Sequence, residues 1–288
     1  MRKATWLIIL VLGIGSIFEV GPILYMASVS LMNQSEITAF PLPLIPSWPE
    51  VINYPNAWTR IRFPILLWNT AYITIMTVGI GTLLQILAAY AFGRLQFWGR
   101  DLMFIGILGT MMIPRQVIMI PVYILLARWP LSGDNDLFGV GGHGLLNSAT
   151  AVILPTLVAQ SGFSIFLLRQ SIKTMPQELE DAARIDGAGT LRIIFQIFTP
   201  LMAPVIATLT VLHFMGAWND FLWPLIVLND SDKLTLTVGI NLLQGQFGIT
   251  DWHTLMAAVT LATFPILLLY IFAQRYFVRG IAITGMKG

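Results

Sequence analysis

The sequence has no cysteine and very little charge. The absence of cysteine from its 288 residues excludes disulfide bonds, thiol nucleophiles and cysteine-ligated metal sites. Charged residues make up 10% of the chain, whereas a typical soluble domain carries about 25%. Hydrophobic residues make up 56%, and the mean hydropathy is +0.77. Such a chain lacks the polar groups that cover a soluble fold, so the composition predicts an integral membrane protein.

Six apolar stretches are long enough to cross a bilayer as helices, which takes about 20 mostly apolar residues. They cover about residues 4–31, 63–93, 102–127, 145–168, 201–228 and 254–274. The charged residues within them are Glu19, Arg115 and Asp220. None of the stretches alternates like the strand of an outer-membrane barrel, which favours helices. We expect an all-α membrane protein with six transmembrane helices in a single domain, 1–288.

Lysine and arginine predict the orientation of these spans, because cytoplasmic segments carry an excess of both. With the N-terminus inside, eleven of the sixteen basic residues lie in cytoplasmic segments and four lie outside. The eleven are Arg2, Lys3, Arg94, Arg100, Arg169, Lys173, Arg184, Arg192, Arg275, Arg279 and Lys287. Both termini are therefore expected to be cytoplasmic. The first external segment, 32–62, is rich in proline and is expected to be ordered without regular secondary structure.

The segment 174–200, between the fourth and fifth predicted spans, has the densest charge in the chain. Its pattern predicts a helix that starts with Thr174 as the N-cap and Gln177 as the partner in a capping box. Gly187 and Gly189 are expected to end this helix and to turn the chain.

The predicted helix has a narrow apolar face made of Leu179, Ala182 and Ala183. One interpretation is an interfacial helix lying on lipid headgroups, which would be expected to carry bulky apolar residues and a basic face. Here acidic residues outnumber basic ones, and small residues let the backbone of another protein come close. The residues favour docking on a protein partner over lipid, and both interpretations stay open.

Residues 180–188, Glu-Asp-Ala-Ala-Arg-Ile-Asp-Gly-Ala, resemble the EAA loop of binding-protein-dependent ABC importer permeases, as do Ile197 and Pro200 downstream. Asp181 stands where the motif has glutamate, and Thr199 stands where it has leucine. Further motifs resemble the carbohydrate-uptake branch, and specifically its maltose-type subunit with six spans. They are Asn69-Thr70, Ala89-Tyr90-Ala91-Phe92 with Arg94, Trp218-Asn219-Asp220-Phe221, and the tail motifs at 274–280 and 285–288.

This resemblance implies a function and a set of partners. In the family, the loop forms coupling helices that dock on the ATPase subunits. The coupling residues implied here are Glu178, Glu180, Asp181, Ala182, Ala183, Asp186 and Gly187. The implied complex holds a second homologous permease subunit, two ABC ATPase subunits and an extracytoplasmic solute-binding protein. The chain would translocate a sugar or oligosaccharide by alternating access across the cytoplasmic (inner) membrane of a prokaryote, as a transport subunit and not as an enzyme.

The sequence has no Gly-x-x-x-x-Gly-Lys-Ser/Thr motif, so we expect ATP and magnesium on the partner ATPase subunits and no cofactor on this chain. His143, His213 and His253 lack metal-ligand spacing, so no metal site is expected. For His213, which lies in a span, polar packing is favoured over a proton relay. A net charge of +2 without a basic run gives no indication of nucleic-acid binding. As a membrane protein, the chain is expected to contact membrane lipid.

Polar groups inside a membrane are costly and often functional, so they are candidates for the translocation pathway. These candidates are Arg115, Trp218, Asn219 and Asp220. Arg115 would alternatively pair with Glu19 or Asp220, or cap a carbonyl at the kink made by Pro114, while Trp218 would belong to the aromatic belt.

Two other functions stay open. One is an ABC permease for a glycerol-phosphodiester, polyol or other small solute, with Arg115 as the cation. The other is a secondary transporter, which has no need of an alanine-rich docking helix.

Overall fold

The computed structural model describes residues 2–244 and 251–284, with side chains for 9–244, 251–272 and 274, and every regular element in it is helical. The helices are α1 (Arg2–Val29), α2 (Gln34–Ile37), α3 (Asn53–Arg60), α4 (Phe63–Arg94), α5 (Arg100–Thr110), α6 (Arg115–Ala127), α7 (Ala149–Lys173), α8 (Glu178–Ile185), α9 (Thr190–Ile193), α10 (Thr199–Leu201), α11 (Ala203–Trp218), α12 (Leu222–Val227), α13 (Leu236–Asn241) and α14 (Trp252–Thr284). A π-helical turn, Ile194–Phe198, joins α9 to α10. The all-α prediction is confirmed for this part of the chain.

Four helical segments are long and apolar enough to cross a membrane unaided: Ile9–Val29 of α1, α4, α7 and Trp252–Phe272 of α14. Two further helix pairs meet the same criterion but are sharply bent. The angle between α5 and α6 is 105°, and the angle between Thr190–Leu201 and α11 is 83°. The described chain therefore has four candidate spans, or six if each bent pair crosses as one.

The third predicted span is broken instead of continuous. α5 ends at Thr110 and α6 begins at Arg115. Pro114 explains the break, because it has no backbone N–H to donate and disfavours a helical residue before it. Its own ψ of 133° is extended. Arg115 therefore lies in the first turn of a helix and not in the middle of one.

The proline-rich segment 32–62 contains two short helices, so the expectation that it lacks regular secondary structure is wrong. α2 begins at a capping box: Asn33 Oδ1 accepts from the Glu36 amide at 2.9 Å, and Glu36 Oε2 accepts from the Asn33 amide at 3.1 Å. In α3, the side-chain amide of Asn53 donates to the Ser30 carbonyl at 3.0 Å. Local capping and anchoring produce helical turns here that a count of prolines does not reveal.

The chain divides into two compact units, one of residues 1–67 and 238–266 and the other of 68–237 and 267–288. In the first unit, a buried cluster consists of Ala57, Leu243, Leu255, Ala257 and Ala258. In the second, α7 contacts α5, α6, α11 and α12. A buried cluster there includes Ala89 and Tyr90 of α4, Leu168 and Ile172 of α7, Ala183 of α8 and Phe198. This cluster fixes α8 against the ends of the long helices.

Two predictions remain untested, one on the domain organisation and one on the tail motifs. The single-domain organisation over 1–288 stays a prediction. The tail motif at 285–288 lies outside the described residues, as do the side chains at 275–280.

Candidate functional site

The helix predicted within 174–200 is α8, but its start differs from the prediction. Thr174 Oγ1 donates to the Ser171 carbonyl at 2.8 Å, and the Thr174 amide donates to Gln170. Thr174 therefore closes α7, and its φ of −78° and ψ of −11° are helical, whereas an N-cap residue is extended. The amides of Glu180 and Asp181 donate to the backbone carbonyl of Gln177, so the predicted side-chain capping box is wrong.

The end of α8 agrees with the prediction. Gly187 has a φ of +78°, the left-handed conformation that glycine adopts without steric cost. The Ala188 amide donates to the Ala183 carbonyl at 2.9 Å, and the Gly187 amide donates to Arg184 at 3.0 Å. Gly189 differs from Gly187 because its φ of −73° and ψ of 161° are extended, so it leads into α9.

α8 has an inward and an outward face. Glu180 and Ala183 are buried. Leu179 is 41% exposed, Ile185 is 87% exposed, and Ala182 between them is also exposed. The remaining acidic residues of the segment, Glu178, Asp181 and Asp186, are exposed as well. The structure thus turns Glu180 and Ala183 away from the other candidate coupling residues and splits the apolar face predicted from Leu179, Ala182 and Ala183.

Glu180 is 2% exposed and accepts hydrogen bonds from two elements. The Tyr90 hydroxyl, on α4, donates to Glu180 Oε1 at 2.7 Å. Arg184 Nη2, one turn along α8, donates to the same oxygen at 2.7 Å. That hydrogen bond raises the pKa of the Arg184 guanidinium above its ordinary value. Charge-assisted bonds of this kind compensate the burial of a carboxylate, so Glu180 fastens α8 to α4.

Arg94, at the end of α4, binds the chain where it leaves α7. Its Nη2 donates to the carbonyls of Ile172 at 3.0 Å and Met175 at 2.7 Å, and its Nη1 donates to Gln177 Oε1. A cation at this point satisfies the carbonyls that a helix leaves free at its C-terminus. Arg94 Nε lies 3.7 Å from Glu180 Oε2. Among the described residues, neither of these two atoms has a hydrogen-bond partner.

Two of the four candidate pathway residues, Arg115 and Asp220, form an ion pair. Arg115 Nη2 lies 2.7 Å from Asp220 Oδ2, so of the partners weighed for Arg115 it pairs with Asp220. The Arg115 side chain is 37% exposed and that of Asp220 is 10% exposed. The backbone carbonyl of Asp220 accepts from Thr237 Oγ1 at 2.8 Å. The pair ties the start of α6 to the loop after α11.

The other two candidates have local roles. Trp218 is 4% exposed, and its ring stacks on that of Phe214 with 5.2 Å between centroids. Asn219 Nδ2 donates to the Met215 carbonyl at 2.9 Å and so closes the end of α11. These contacts do not bring Trp218 and Asn219 into the ion pair.

A cavity of about 20 Å³ adjoins the ion pair and is lined by Arg115, Met119, Pro155 and Trp223, among others. A space of this size holds about one water molecule. This cavity is much too small for a sugar.

Sequence reasoning missed two sets of contacts. Tyr90 entered it only as part of a family motif, and Arg94 only there and in the count of basic residues, although their position at the end of a long uncharged stretch was a usable signal. Ser164 received no attention, yet its Oγ lies 2.8 Å from His213 Nε2, and both side chains are buried. The hydrogen bond agrees with the polar packing role favoured for His213.

The chain is similar to known proteins over most of its length. A family model described as "Binding-protein-dependent transport system inner membrane component" matches residues 81–283. The arabinooligosaccharide permease AraQ of Halalkalibacterium halodurans is 33% identical over 290 residues, covering 99% of this chain and 97% of that protein. The sn-glycerol-3-phosphate permease UgpE of Pectobacterium atrosepticum is 32% identical over 258 residues, covering 87% and 86%.

The fold has a solved counterpart as well. A crystal structure of a bacterial ABC transporter involved in the import of the acidic polysaccharide alginate superposes with a TM-score of 0.79. The match covers 96% of this chain and 97% of the other at 23% identity, which establishes a shared fold. The family match includes α8 and the ends of α4 and α7 that hold it. This chain therefore belongs to the binding-protein-dependent transport system inner membrane components, the permease subunits of ABC importers.

Proposed function

We propose that the chain translocates a sugar or oligosaccharide by alternating access, driven by ATPase subunits that dock on α8. The observation that carries this proposal is the outward face of α8, where Leu179, Ala182 and Ile185 form an exposed apolar stripe. Acidic side chains flank the stripe, at a helix start where negative charge is favoured. ATP and magnesium reside on the partner subunits. A second permease subunit and a solute-binding protein complete the complex.

The shape of α8 supports docking on a protein over lying on lipid. An interfacial helix needs a continuous bulky apolar face and cations that meet the headgroups. Here Arg184 is held by Glu180, and the small Ala182 lies at the centre of the exposed stripe. Small residues at such a position let a partner approach closely.

A neutral cargo fits the charges near the pathway candidates better than an anionic one. An uncompensated cation there would favour an anionic solute, but Arg115 forms an ion pair with Asp220 at 2.7 Å. The paired charges have no net attraction for a phosphate. The second candidate cargo is a solute of the glycerol-phosphate type, because UgpE, a relative of this chain, is named for sn-glycerol-3-phosphate transport. Ligand-dependent ATPase stimulation in the reconstituted complex distinguishes the two, because we expect neutral oligosaccharides and not glycerol phosphates to stimulate.

Docking is tested by Ile185→Asp, which places a charge at the most exposed point of the stripe. We expect the ATPase subunits to be lost when the complex is purified through this chain. Leu137→Asp is the matched control, since Leu137 is also exposed, at 65%, but lies in a loop predicted to be external. ATPase recovery equal to wild type with Ile185→Asp would contradict docking on α8. Sugar uptake into vesicles by this chain alone, without ATP, would contradict the whole proposal.

A further inference from the structure

α8 is attached to the rest of the chain through very few side chains. Of its eight residues, only Glu180 and Ala183 are buried. Ala183 contributes a single methyl group, so the side-chain contacts of α8 centre on Glu180, with Arg184 Nη2 also 3.4 Å from the Tyr90 hydroxyl. A force applied to the exposed stripe reaches the long helices through this attachment and through the short connections at each end of α8.

The Glu180 carboxylate faces two residues of α4, one at each oxygen. Tyr90 donates to one oxygen of Glu180 at 2.7 Å, and Arg94 Nε lies 3.7 Å from the other. Tyr90 is 1% exposed and the Arg94 side chain is 10% exposed, so water competes little for these contacts.

The same two residues contact the chain that leads into α11. The Tyr90 ring meets the buried ring of Phe198 edge-on with 5.7 Å between centroids, and Arg94 Cζ lies 5.3 Å from the Phe198 centroid. Phe198 ends the π-helical turn after α9. The end of α4 thus holds α8 on one side and the start of the next membrane segment on the other.

We infer that Tyr90 and Arg94 are positioning residues for energy coupling: through Glu180 they transmit movement of α8 to α4. Glu180 then acts inward, while the neighbouring Asp181, Ala182 and Ile185 meet the ATPase. The inference rests on the proposed docking of α8. It separates two functions within one short helix, attachment to the membrane helices and contact with the ATPase.

The test uses the full complex in proteoliposomes with ATPase subunits and binding protein, measuring solute transported per ATP hydrolysed. Tyr90→Phe removes the hydroxyl and keeps the ring against Phe198. We expect the ATPase subunits to remain bound and transport per ATP to fall about tenfold, the order expected for losing one hydrogen bond to a charged group. Tyr72→Phe is the matched control, because Tyr72 lies on α4 but is 44% exposed. It should leave the ratio unchanged.

Two further measurements separate coupling from a general loss of structure. Glu180→Gln should lower the same ratio, because it removes the negative charge to which Tyr90 and Arg184 donate. The double variant with Tyr90→Phe should lose less than the sum of the two single losses, because both changes weaken the Tyr90–Glu180 hydrogen bond. Hydrogen exchange of the amides at 180–186 should be faster in Tyr90→Phe and unchanged in Tyr72→Phe.

The outcomes distinguish this inference from the proposed function. If Ile185→Asp releases the ATPase but Tyr90→Phe and Glu180→Gln transport as much per ATP as wild type, the inference is overturned and docking stands. Loss of the ATPase from Tyr90→Phe as well would overturn the division between attachment and contact. If Ile185→Asp retains the ATPase, docking itself fails.

Discussion

Glu180 and Asp181 are adjacent acids with opposite environments. Glu180 is almost completely buried and paired, whereas Asp181 is exposed. A helix turns about 100° per residue, so neighbours in sequence point to different sides. The family motif groups them in one short string, but only the packing of α8 against α4 separates the side chain that anchors the helix from the one that is available to a partner.

Breaking the ion pair at Arg115 should destabilise the protein. Asp220→Asn leaves a cation without its counter-charge in a partly buried place. We expect a loss of about 2 kcal/mol, below the 3–5 of a fully buried pair because Arg115 is 37% exposed. Thermal unfolding of the purified chain measures it. Asp230→Asn is the control, since the pair of Asp230 with Lys233 at 3.8 Å is about half exposed and should matter little. Equal midpoints for both variants would contradict the prediction.

At the scale of the element, α8 ends where its backbone needs a glycine. A Cβ at Gly187 would meet nothing within 4 Å, so the cost of Gly187→Ala comes from the positive φ alone. We expect about 1 kcal/mol, seen as faster hydrogen exchange over 178–188. Gly189→Ala is the matched control, because that position also has open space but an extended backbone. A smaller effect at Gly187 than at Gly189 would refute the left-handed cap.

The capping box of α2 predicts a pH dependence. Glu36 Oε1 accepts from the Ser47 amide at 2.7 Å, and this bond, followed by the one from the Asn33 amide, lowers the pKa of the Glu36 carboxyl. A carboxyl with a lowered pKa stabilises the fold above the ordinary value of about 4.3, and the contribution is lost as the pH falls through the lower value. The protection factor of the Ser47 amide, which is its exchange rate relative to the intrinsic rate at the same pH, should therefore fall on acidification. In Glu36→Gln this protection should already be low at neutral pH, and protection equal to wild type there would contradict the prediction.

At the scale of the whole molecule, the absence of cysteine permits a direct test of orientation. Single cysteines at Trp98, 92% exposed, and Phe138, 83% exposed, would be the only thiols in the chain. With both termini cytoplasmic, a membrane-impermeant maleimide should label Phe138→Cys in intact cells. Trp98→Cys should react only after permeabilisation. The reverse pattern would show that the excess of basic residues does not set the topology.

Composition and local pattern determined much of this protein. Scarce charge and long apolar stretches fix it as a helical membrane protein, because the bilayer excludes unpaired backbone groups. The glycine at 187 ends a short helix for a reason contained in its own backbone. The start of that helix was not predictable in the same way, since Thr174 has the chemistry of an N-cap but caps the end of α7.

Tertiary structure decided which polar groups meet. The partner of Arg115 was open between Glu19 and Asp220, and the contact of Tyr90 with Glu180 joins residues 90 positions apart. Such pairs depend on which helices pack side by side and at what rotation, and no local pattern encodes either. The sequence alone therefore defined a helical membrane protein and predicted a short charged helix between its fourth and fifth spans. Only the packing of that helix against α4 decided which side of it faces inward, because burial, and not residue type, separates an anchoring carboxylate from an exposed one.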